Sequence, residues 1–561
     1  MRYIKEILKK NRIWVLVYIG LGIFNAFMAN YKADYFQKVI DGLADRTLAF
    51  AGVATYGFIL LVNYCMNYLD NYPEKKLEHG IYLDFKLLSL RKISTIDYTE
   101  YQKIGTGKLV QRIENGSTAG RNVLFNFWLR LIRDLLPTIG FSIYFIWKID
   151  EKVTYVLFVG YAFIFIITNI LLKFLYKIKE KILNSEELLN HYLVRGYMEM
   201  LVFRMSKQFP SEIKKTCNAK EDIVSSKVKM NMIHEAFFTI FALFVAMLDI
   251  GILFYAWKTK NLTVGSVVAL IALIENAYTP IAIFNVLYVQ YKLDKESYNR
   301  LKQFLDLKDD NQLINGNIIN TDVGEISIKN LSFRYEERKI IDNLSLSVKK
   351  GEKIAFVGES GSGKSTLIKI LLGLLKYNQG EVRLGDMELS ELCLNDLYDK
   401  VSYISQDAPV FDGTIKENLV FDKDVTGEQM VDALNKVQLS YLVESLEKGL
   451  DTEIGEKGTC LSGGEKQKLA LARLWFENPE LVILDEATSA MDNLTEENLM
   501  KSVIQKVKDK TVIAVVHRLN FISNFDRIVV FREGKIVGQG TFEELLHTHS
   551  YFMDLYNARV Q

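Results

Sequence analysis

Hydrophobic residues are unevenly distributed along this chain. In the first half, apolar runs recur that can cross the roughly 30 Å hydrocarbon core of a bilayer, and they stop after about residue 300. Six runs are predicted to span a membrane as helices: Ile13–Asn30, Ala51–Tyr72, Phe125–Trp147, Val153–Tyr176, Phe237–Trp257 and Val267–Tyr288. The first half is therefore predicted to be an α-helical polytopic membrane domain with six transmembrane helices.

The charges around these runs predict their orientation. Five basic residues precede the first span within residues 2–12, which places that end in the cytoplasm by the positive-inside rule. An even number of spans then returns the chain to the cytoplasm, with short outward connections at 42–50, 148–152 and 258–266. The charged, helix-periodic segments between spans two and three and between spans four and five predict helices that continue into the cytoplasm and turn in two elbows.

The second half of the chain has a different pattern. Residues 306–322 are rich in Asp, Asn and Gly and are predicted to be a linker. From residue 323, short apolar strands alternate with helix-periodic segments up to residue 561, which is typical of an α/β sheet. We expect a membrane domain at 1–305, the linker, and an α/β domain at 323–561.

A glycine-rich segment lies between an apolar strand and a helix in this α/β domain. GESGSGKS at 358–365 fits the pattern G-x-x-x-x-G-K-S, which indicates a P-loop that binds nucleotide phosphates, and a glycine turn that binds nothing is the alternative. The predicted ATP-binding residues here are Gly358, Ser360, Gly361, Ser362, Gly363, Lys364, Ser365 and Thr366. Lys364 is expected to contact the β and γ phosphates, and Ser365 is expected to bind Mg²⁺.

A second apolar strand ends in two carboxylates. Leu481–Leu484 leads directly into Asp485 and Glu486. Asp485 is expected to hold Mg²⁺, directly or through water, and Glu486 is expected to be the general base that takes a proton from the attacking water. The domain is thus predicted to be a P-loop ATPase with ATP and Mg²⁺ as its cofactors.

Composition narrows the classes of partner. The 69 basic and 68 acidic residues give a net charge of +1, so nucleic acid is not expected as a partner, because nucleic-acid-binding proteins carry a basic field. The four cysteines are scattered without a CxxC pair. This spacing indicates neither a disulfide framework nor a zinc site and predicts buried thiols.

One further motif supplies a family resemblance. LSGGE at 461–465, together with the P-loop, the DE strand end and six spans before one α/β domain, resembles an ATP-binding cassette (ABC) exporter half-transporter, over nearly the whole chain. The resemblance implies two cassettes packed head to tail. Each ATP is then held between the P-loop of one chain and the LSGGE motif, the family signature, of the other. It assigns the contacts made in trans to Ser462, Gly463, Gly464 and Glu465, and it implies a second half-transporter, identical or related, as partner.

The resemblance also assigns single residues. It implies that Tyr335 stacks on adenine, although an ordinary strand tyrosine is the alternative. Gln406 corresponds to a glutamine that contacts Mg²⁺ or water, and His517 to a histidine near the γ-phosphate and Glu486. By the same resemblance, Ser489 and Asp492 lie in a loop that touches the opposite cassette.

The sequence gives less information about the molecule that is transported, the cargo. Asp249 and Glu275 are predicted to lie about 12 Å below the outer surface, in spans five and six. A carboxylate at a helix centre costs about 2.5–3.5 kcal/mol to insert. One expectation is therefore that the pair lines an acidic patch for cationic or amphipathic cargo. The alternatives are that the two carboxylates form hydrogen bonds between helices, or that they contact water in the transport cavity. Arg130, Arg133 and Asp134 are predicted to snorkel or to pair.

The predicted function is ATP-hydrolysis-driven export of an amphipathic small molecule or peptide by alternating access. A lipid flippase and, from a different class, an ATP-gated channel or regulator remain alternatives. The spans argue against a soluble ATPase, and fusion of membrane and ATPase parts disfavours an importer. The expected location is a bacterial inner membrane, in contact with membrane lipid, with both termini and the ATPase domain in the cytoplasm.

Overall fold

The computed structural model describes residues 2–560 except 199, 260–261, 422, 456–457, 459, 517 and 519–520. The chain divides into two units. The helical unit comprises Met1–Ser94 and Ile104–Leu307, and the α/β unit comprises Thr95–Lys103 and Lys308–Gln561.

Long helices build the helical unit. The helices up to residue 305 are α1 (Arg2–Lys10), α2 (Arg12–Ala44), α3 (Phe50–Thr95), α4 (Tyr98–Ile104), α5 (Thr106–Arg121), α6 (Leu136–Ile149), α7 (Glu151–Met198), α8 (Met200–Met205), α9 (Phe209–Thr259) and α10 (Val264–Leu305). Between α5 and α6 the backbone is π-helical at Asn122–Leu129 and Leu131–Leu135. Four of the described helices, α2, α3, α9 and α10, are long and apolar enough to cross a membrane.

The predicted helical membrane domain is confirmed by this architecture. Predicted spans three and four fall on the π-helical stretch with α6 and on α7 respectively, and the count of six stays a prediction. The helices break where the outward connections were predicted, at Asp45–Ala49, at Asp150 and before Thr263. There Asp150 Oδ1 accepts from the backbone N–H of Lys152 at 2.8 Å, and the Thr263 hydroxyl caps α10 by accepting from Ser266 N at 3.1 Å.

A buried charge network joins three helical segments. Arg133, 7% exposed, forms an ion pair with Asp70 on α3, lies 3.5 Å from Glu74, and donates to the hydroxyl of Tyr18 on α2 at 3.0 Å. Arg130 pairs with Glu74 at 3.1 Å. Of the two predicted alternatives, snorkelling and pairing, the structure shows pairing of both arginines, as expected for a charge in an apolar interior.

The α/β unit contains two sheets. Its strands are β1 (Ile326–Tyr335), β2 (Arg338–Val348), β3 (Lys353–Gly358), β4 (Gln379–Leu384), β5 (Met387–Glu388), β6 (Val401–Ile404), β7 (Leu481–Asp485), β8 (Thr511–Val515), β9 (Arg527–Arg532) and β10 (Lys535–Gly540). The six-stranded sheet has the order β10-β9-β3-β8-β7-β6, parallel except for β10, and the four-stranded antiparallel sheet has the order β2-β1-β4-β5.

Helices cover these sheets. They are α11 (Gln312–Asn315), α12 (Lys364–Leu371), α13 (Leu394–Lys400), α14 (Ile415–Val420), α15 (Gly427–Lys436), α16 (Ser440–Ser445), α17 (Gly463–Ala472), α18 (Asn493–Lys506), α19 (Phe542–Thr548) and α20 (Ser550–Val560). Every residue of β7 and β8 is buried, as expected for parallel strands covered on both faces. The predicted α/β fold is confirmed.

Part of the first elbow, Thr95–Lys103, belongs to the α/β unit. Asp97 N donates to Lys308 O at 3.1 Å, Asp310 N donates to Thr95 O at 2.7 Å, and the Tyr98 ring packs against the core beside the four-stranded sheet. The second elbow holds the short helix α8.

The cysteines depart from expectation. The four cysteines are free thiols, but only Cys393 is buried, so the prediction of buried thiols is wrong for Cys65, Cys217 and Cys460.

Candidate functional site

The glycine-rich loop between β3 and α12 has a backbone that its sequence dictates. Gly361 has φ +82° and Gly363, at the N-terminus of α12, has φ +103°, both in the left-handed region that side chains disfavour. A Cβ at Gly363 would lie 3.2 Å from Ile340 O. The loop therefore keeps the backbone N–H groups at the start of α12 open to an anion.

Lys364 adds a positive charge to this loop. Its side chain is buried, and its Nζ donates to Gly358 O at 3.0 Å, Glu359 O at 2.8 Å and Ser362 Oγ at 3.3 Å. These bonds hold the ammonium over the loop. Ser360 lies exposed on the loop.

Ser365 and Asp485 meet although 120 residues separate them. Ser365 Oγ donates to Asp485 Oδ1 at 3.2 Å, because β3 and β7 flank β8 in the parallel sheet and end at the same edge. Burial raises the pKa of Asp485, while the bond from Ser365 opposes that rise. Two oxygen ligands for a hard cation are thus brought together at the P-loop.

Glu486 and Gln406 also meet at this edge. Gln406 Nε2 donates to Glu486 Oε2 at 2.7 Å. Glu486 has φ +53°, an uncommon backbone conformation for a residue other than glycine, and its N–H donates to Val515 O at 3.3 Å. His517, predicted to act here, lies outside the described residues.

Tyr335 ends β1 beside the P-loop helix. A hydrogen bond joins its side chain to that of Thr366, and burial raises the pKa of its hydroxyl. The ring is 39% exposed and packs edge-on against Phe333, with the centroids 5.0 Å apart. A face of the ring is therefore available for stacking close to Thr366.

The LSGGE motif forms the N-terminus of α17. Ser462 caps the helix by accepting from Glu465 N at 3.3 Å, and Glu465 Oε2 accepts from Ser462 N and Oγ at 2.8 Å each, which completes a capping box. Burial raises the pKa of Glu465, but the bonds from Ser462 and Tyr441 and the charge of Lys468 together lower it overall. In the described part of the chain, the hydrogen bonds of Ser462 run to Glu465 and Lys466 and not to the P-loop.

The loop after Glu486 packs on the same helix end. A Cβ at Gly463 would lie 3.3 Å from Ala490 Cβ, and one at Gly464 would lie 3.3 Å from Ala490 O, so both glycines permit close approach. Asp492 caps α18 by accepting from Thr495 N at 2.9 Å.

Two residues of this region were missed from the sequence. Gln467 is 3% exposed and donates to Ser489 Oγ at 3.1 Å. Arg518 donates to Met491 O and lies 3.6 Å from Glu496. The sequence did contain a signal for Gln467. This polar residue precedes Ala470 by three positions and Leu471 by four, so it lies on the apolar face of α17.

The two predicted membrane carboxylates lie on neighbouring helices. Asp249 is on α9 and Glu275 is on α10, and these two helices pack against each other. Asp249 Oδ1 is buried and has no hydrogen-bond partner among the described residues, whereas Glu275 is exposed.

Comparison with known proteins decides the family. Residues 341–489, which include the P-loop and the Asp485–Glu486 strand end, match the family model for ABC transporters. The chain belongs to the ABC transporter family. Its α/β unit is accordingly a nucleotide-binding domain that binds ATP, and half-transporters of this family, with one such domain per chain, generally form dimers.

Full-length ABC transporters resemble this one along the whole chain. An ATP-dependent lipid A-core flippase of Alcanivorax borkumensis is 27% identical over 97% of this chain and 94% of its own length. In fold, a bacterial Atm1-family ABC exporter with ATP bound matches with a TM-score of 0.83, at 20% identity, over 99% of each chain.

A mitochondrial relative is more similar over a shorter stretch. The iron-sulfur clusters transporter ATM1 of Debaryomyces hansenii is 33% identical over 385 residues, which are 67% of this transporter and 54% of the yeast protein. The chain thus spans about half the length of this relative.

Proposed function

We propose that this ABC transporter is one half of a dimeric exporter that uses ATP hydrolysis to move an amphipathic small molecule or peptide out of the cytoplasm. The observation that carries the proposal is the division of the nucleotide-binding groups between two surfaces. The P-loop groups gather around Lys364, whereas Ser462, at the N-terminus of α17, bonds only to Glu465 and Lys466 of its own helix among the described hydrogen bonds. A second chain that turns its signature towards this P-loop would complete the site.

The residues present fit Mg²⁺. Ser365 Oγ, Asp485 Oδ1 and the Gln406 amide oxygen are hard oxygen donors of the kind that Mg²⁺ binds together with substrate phosphates. We assign them as its protein ligands, with Asp485 acting directly or through water. When bound by these residues, Mg²⁺ would neutralise charge on the β and γ phosphates.

The hydrolytic step is assigned to the Gln406–Glu486 pair. Glu486 accepts a proton from the attacking water, and Gln406, which already bonds Glu486, orients that water. Tyr335 stacks on the adenine ring, and Lys364 with the P-loop amides holds the phosphates. Ser462 and the amides of Gly463 and Gly464 complete the site in trans, where the helix dipole favours an anion. Ser489 and Asp492 face the partner cassette, and His517 keeps its predicted role beside the γ-phosphate.

Replacement of the general base tests this assignment. Glu486→Gln removes the proton acceptor but keeps the shape and one bond to Gln406. We expect at least a 100-fold loss of ATP hydrolysis with ATP binding retained, since general-base catalysis contributes about 10²- to 10⁴-fold. The measurement is phosphate release by protein in lipid vesicles, with Glu497→Gln on exposed α18 as control. Unimpaired turnover of Glu486→Gln would contradict the role.

The Asp249–Glu275 pair is proposed to select cargo. Two carboxylates on the neighbouring helices α9 and α10, one with a buried oxygen that has no hydrogen-bond partner among the described residues, favour a cationic or amphipathic molecule. Neutralisation of both, as Asp249→Asn and Glu275→Gln, is expected to reduce transport of cationic amphiphiles in vesicles while basal ATP hydrolysis persists. Transport of every tested cargo at the original rate would exclude the pair from cargo selection.

Lipid movement is the second candidate. The alignment with a lipid A-core flippase over 94% of that relative favours it. Stimulation of ATP hydrolysis by a panel of soluble amphiphiles, peptides and lipids distinguishes the two, because cargo that binds during the cycle accelerates turnover. The proposed location is a bacterial inner membrane, with the nucleotide-binding domain in the cytoplasm, where ATP is available.

A further inference from the structure

Gln467 lies on α17 and contacts three loops of the nucleotide site with one side-chain amide. Its Nε2 lies 3.1 Å from Ser489 Oγ, 3.3 Å from Gln406 O and 3.5 Å from Glu486 O. Its Oε1 accepts a hydrogen bond from Ala490 N at 3.0 Å. The amide therefore joins the Gln406 loop, the strand end at Glu486 and the loop that follows it.

The contacts act on the backbone of the reacting groups. The Gln406 and Glu486 side chains meet at 2.7 Å, and Gln467 lies against the carbonyl oxygens of these same two residues. Glu486 holds a left-handed backbone with φ +53°, a conformation that persists only when its surroundings fix it. A buried amide that uses both its donor and its acceptor is suited to fix it, since a side chain lacking either would leave a polar group unpaired.

Gln467 also belongs to the helix that carries the signature. Ser462 caps α17, and Gln467 follows five residues later, about 7.5 Å along the helix axis. A helix this short moves as a rigid rod, so a shift at Ser462 displaces the Gln467 amide as well. The signature end and the catalytic end of one chain are thereby linked.

We propose that Gln467 is a positioning residue that transmits engagement of Ser462 with the partner's nucleotide to Gln406 and Glu486 of its own chain. The proposal rests on the proposed function, since it requires a composite site. In the dimer, each nucleotide would adjust the general base of the opposite site through one buried amide.

Two substitutions test the role. Gln467→Met keeps the length of the side chain and removes both polar atoms. We expect the kcat for ATP hydrolysis to fall about 10- to 100-fold, as for residues that orient a reacting group. Nucleotide affinity should change less. Lys468→Met, the next residue on the same helix, whose Nζ bonds Gln438 O, is the control and should retain activity. The readouts are phosphate release and nucleotide titration of the full chain in vesicles.

The separation of kcat from nucleotide affinity gives a readout that lost stability would not produce. Gln467→Glu keeps the oxygen that accepts from Ala490 N and removes the donor that faces the carbonyl oxygens of Gln406 and Glu486. A positioning role predicts that kcat per bound nucleotide falls while affinity stays near the wild-type value, whereas unfolding would lower the number of binding sites and the rate in proportion. A Gln467→Met or Gln467→Glu enzyme with the original kcat per bound nucleotide would overturn the proposal.

Transmission itself is tested by a double substitution. If Gln467 relays engagement of Ser462, Ser462→Ala should lower kcat less in the Gln467→Met background than in the wild type, because the relay is already broken. Strictly additive losses would overturn the relay. Absence of hydrolysis by the wild-type chain, alone or with a co-expressed related chain, would instead count against the proposed function and the inference with it.

Discussion

At the scale of single residues, two groups of the site are in states that disfavour folding but suit the proposed chemistry. Asp485 is buried next to Ser365 and near Glu486, and Glu486 itself has a left-handed backbone. Both features are typical of sites in which surrounding structure holds a strained or desolvated group ready for a ligand. Stability and activity should therefore respond oppositely to substitution of Asp485.

Asp485→Asn is expected to stabilise the nucleotide-free protein while abolishing Mg²⁺-dependent hydrolysis. Burial raises the pKa of Asp485, so the folded state prefers the protonated form and stability falls as pH rises through that range. The neutral amide avoids this loss. Thermal unfolding of the purified chain should show a Tm a few degrees above wild type at neutral pH, and the gain should shrink in acid, where wild-type Asp485 is also neutral. An equal or lower Tm at neutral pH would contradict the argument.

At the scale of elements, sequence pattern predicted what depends on local chemistry. The long helices, the breaks near Asp150 and Thr263, the P-loop and the DE strand end follow from hydropathy, turn residues and a motif with fixed spacing. Gln467 was missed because its role depends on loops that are distant in sequence. Likewise, Thr95–Lys103 joins the α/β unit through bonds to Lys308 and Asp310, which no local pattern encodes.

The π-helical stretch at residues 122–135 shows the same limit within the membrane domain. Its apolar composition is that of an α-helix, and π-helical turns are rare and frequently mark functional sites. Arg133 lies in this stretch, and there it reaches Asp70, Glu74 and Tyr18. The sequence predicted that the arginine would snorkel or pair, but it did not indicate the change of helical type in this stretch.

Breaking this network is expected to be costly. Arg133→Leu leaves the buried Asp70 carboxylate without its partner, a change that costs about 3–5 kcal/mol in buried ion pairs. The double variant Arg133→Leu with Asp70→Asn removes both charges and should recover much of that loss. Thermal unfolding in detergent is the measurement, with Lys181→Leu, from an exposed pair with Asp222, as control. Equal stability of the single variant and the wild type would show that the network does not hold the helices.

At the scale of the whole molecule, the proposed function requires that one chain carry two incomplete halves of a nucleotide site. In that proposal, Lys364 and its loop form one half, and the capped N-terminus of α17 forms the other. Closed twofold assembly would complete both at once, because each surface would then meet its complement. ATP binding would draw the cassettes together and hydrolysis would release them, which supplies the two states that alternating access requires.

Complementation between two inactive variants tests this arrangement directly. Lys364→Ala removes the phosphate contact, and Ser462→Arg blocks the signature, so each variant alone should form dimers with no intact site. In a mixed dimer, the P-loop of the Ser462→Arg chain meets the signature of the Lys364→Ala chain, and one complete site returns. Equal co-expression should restore hydrolysis to at most about a quarter of the wild-type rate, because half of the dimers are mixed and each holds one of two sites. The rate should lie below a quarter where engagement of Ser462 sets kcat in its own chain, since the working P-loop belongs to the Ser462→Arg chain. Full activity of either variant by itself would rule out a site shared between chains. If the wild-type chain hydrolyses ATP only together with a related second chain, the partner is a different half-transporter.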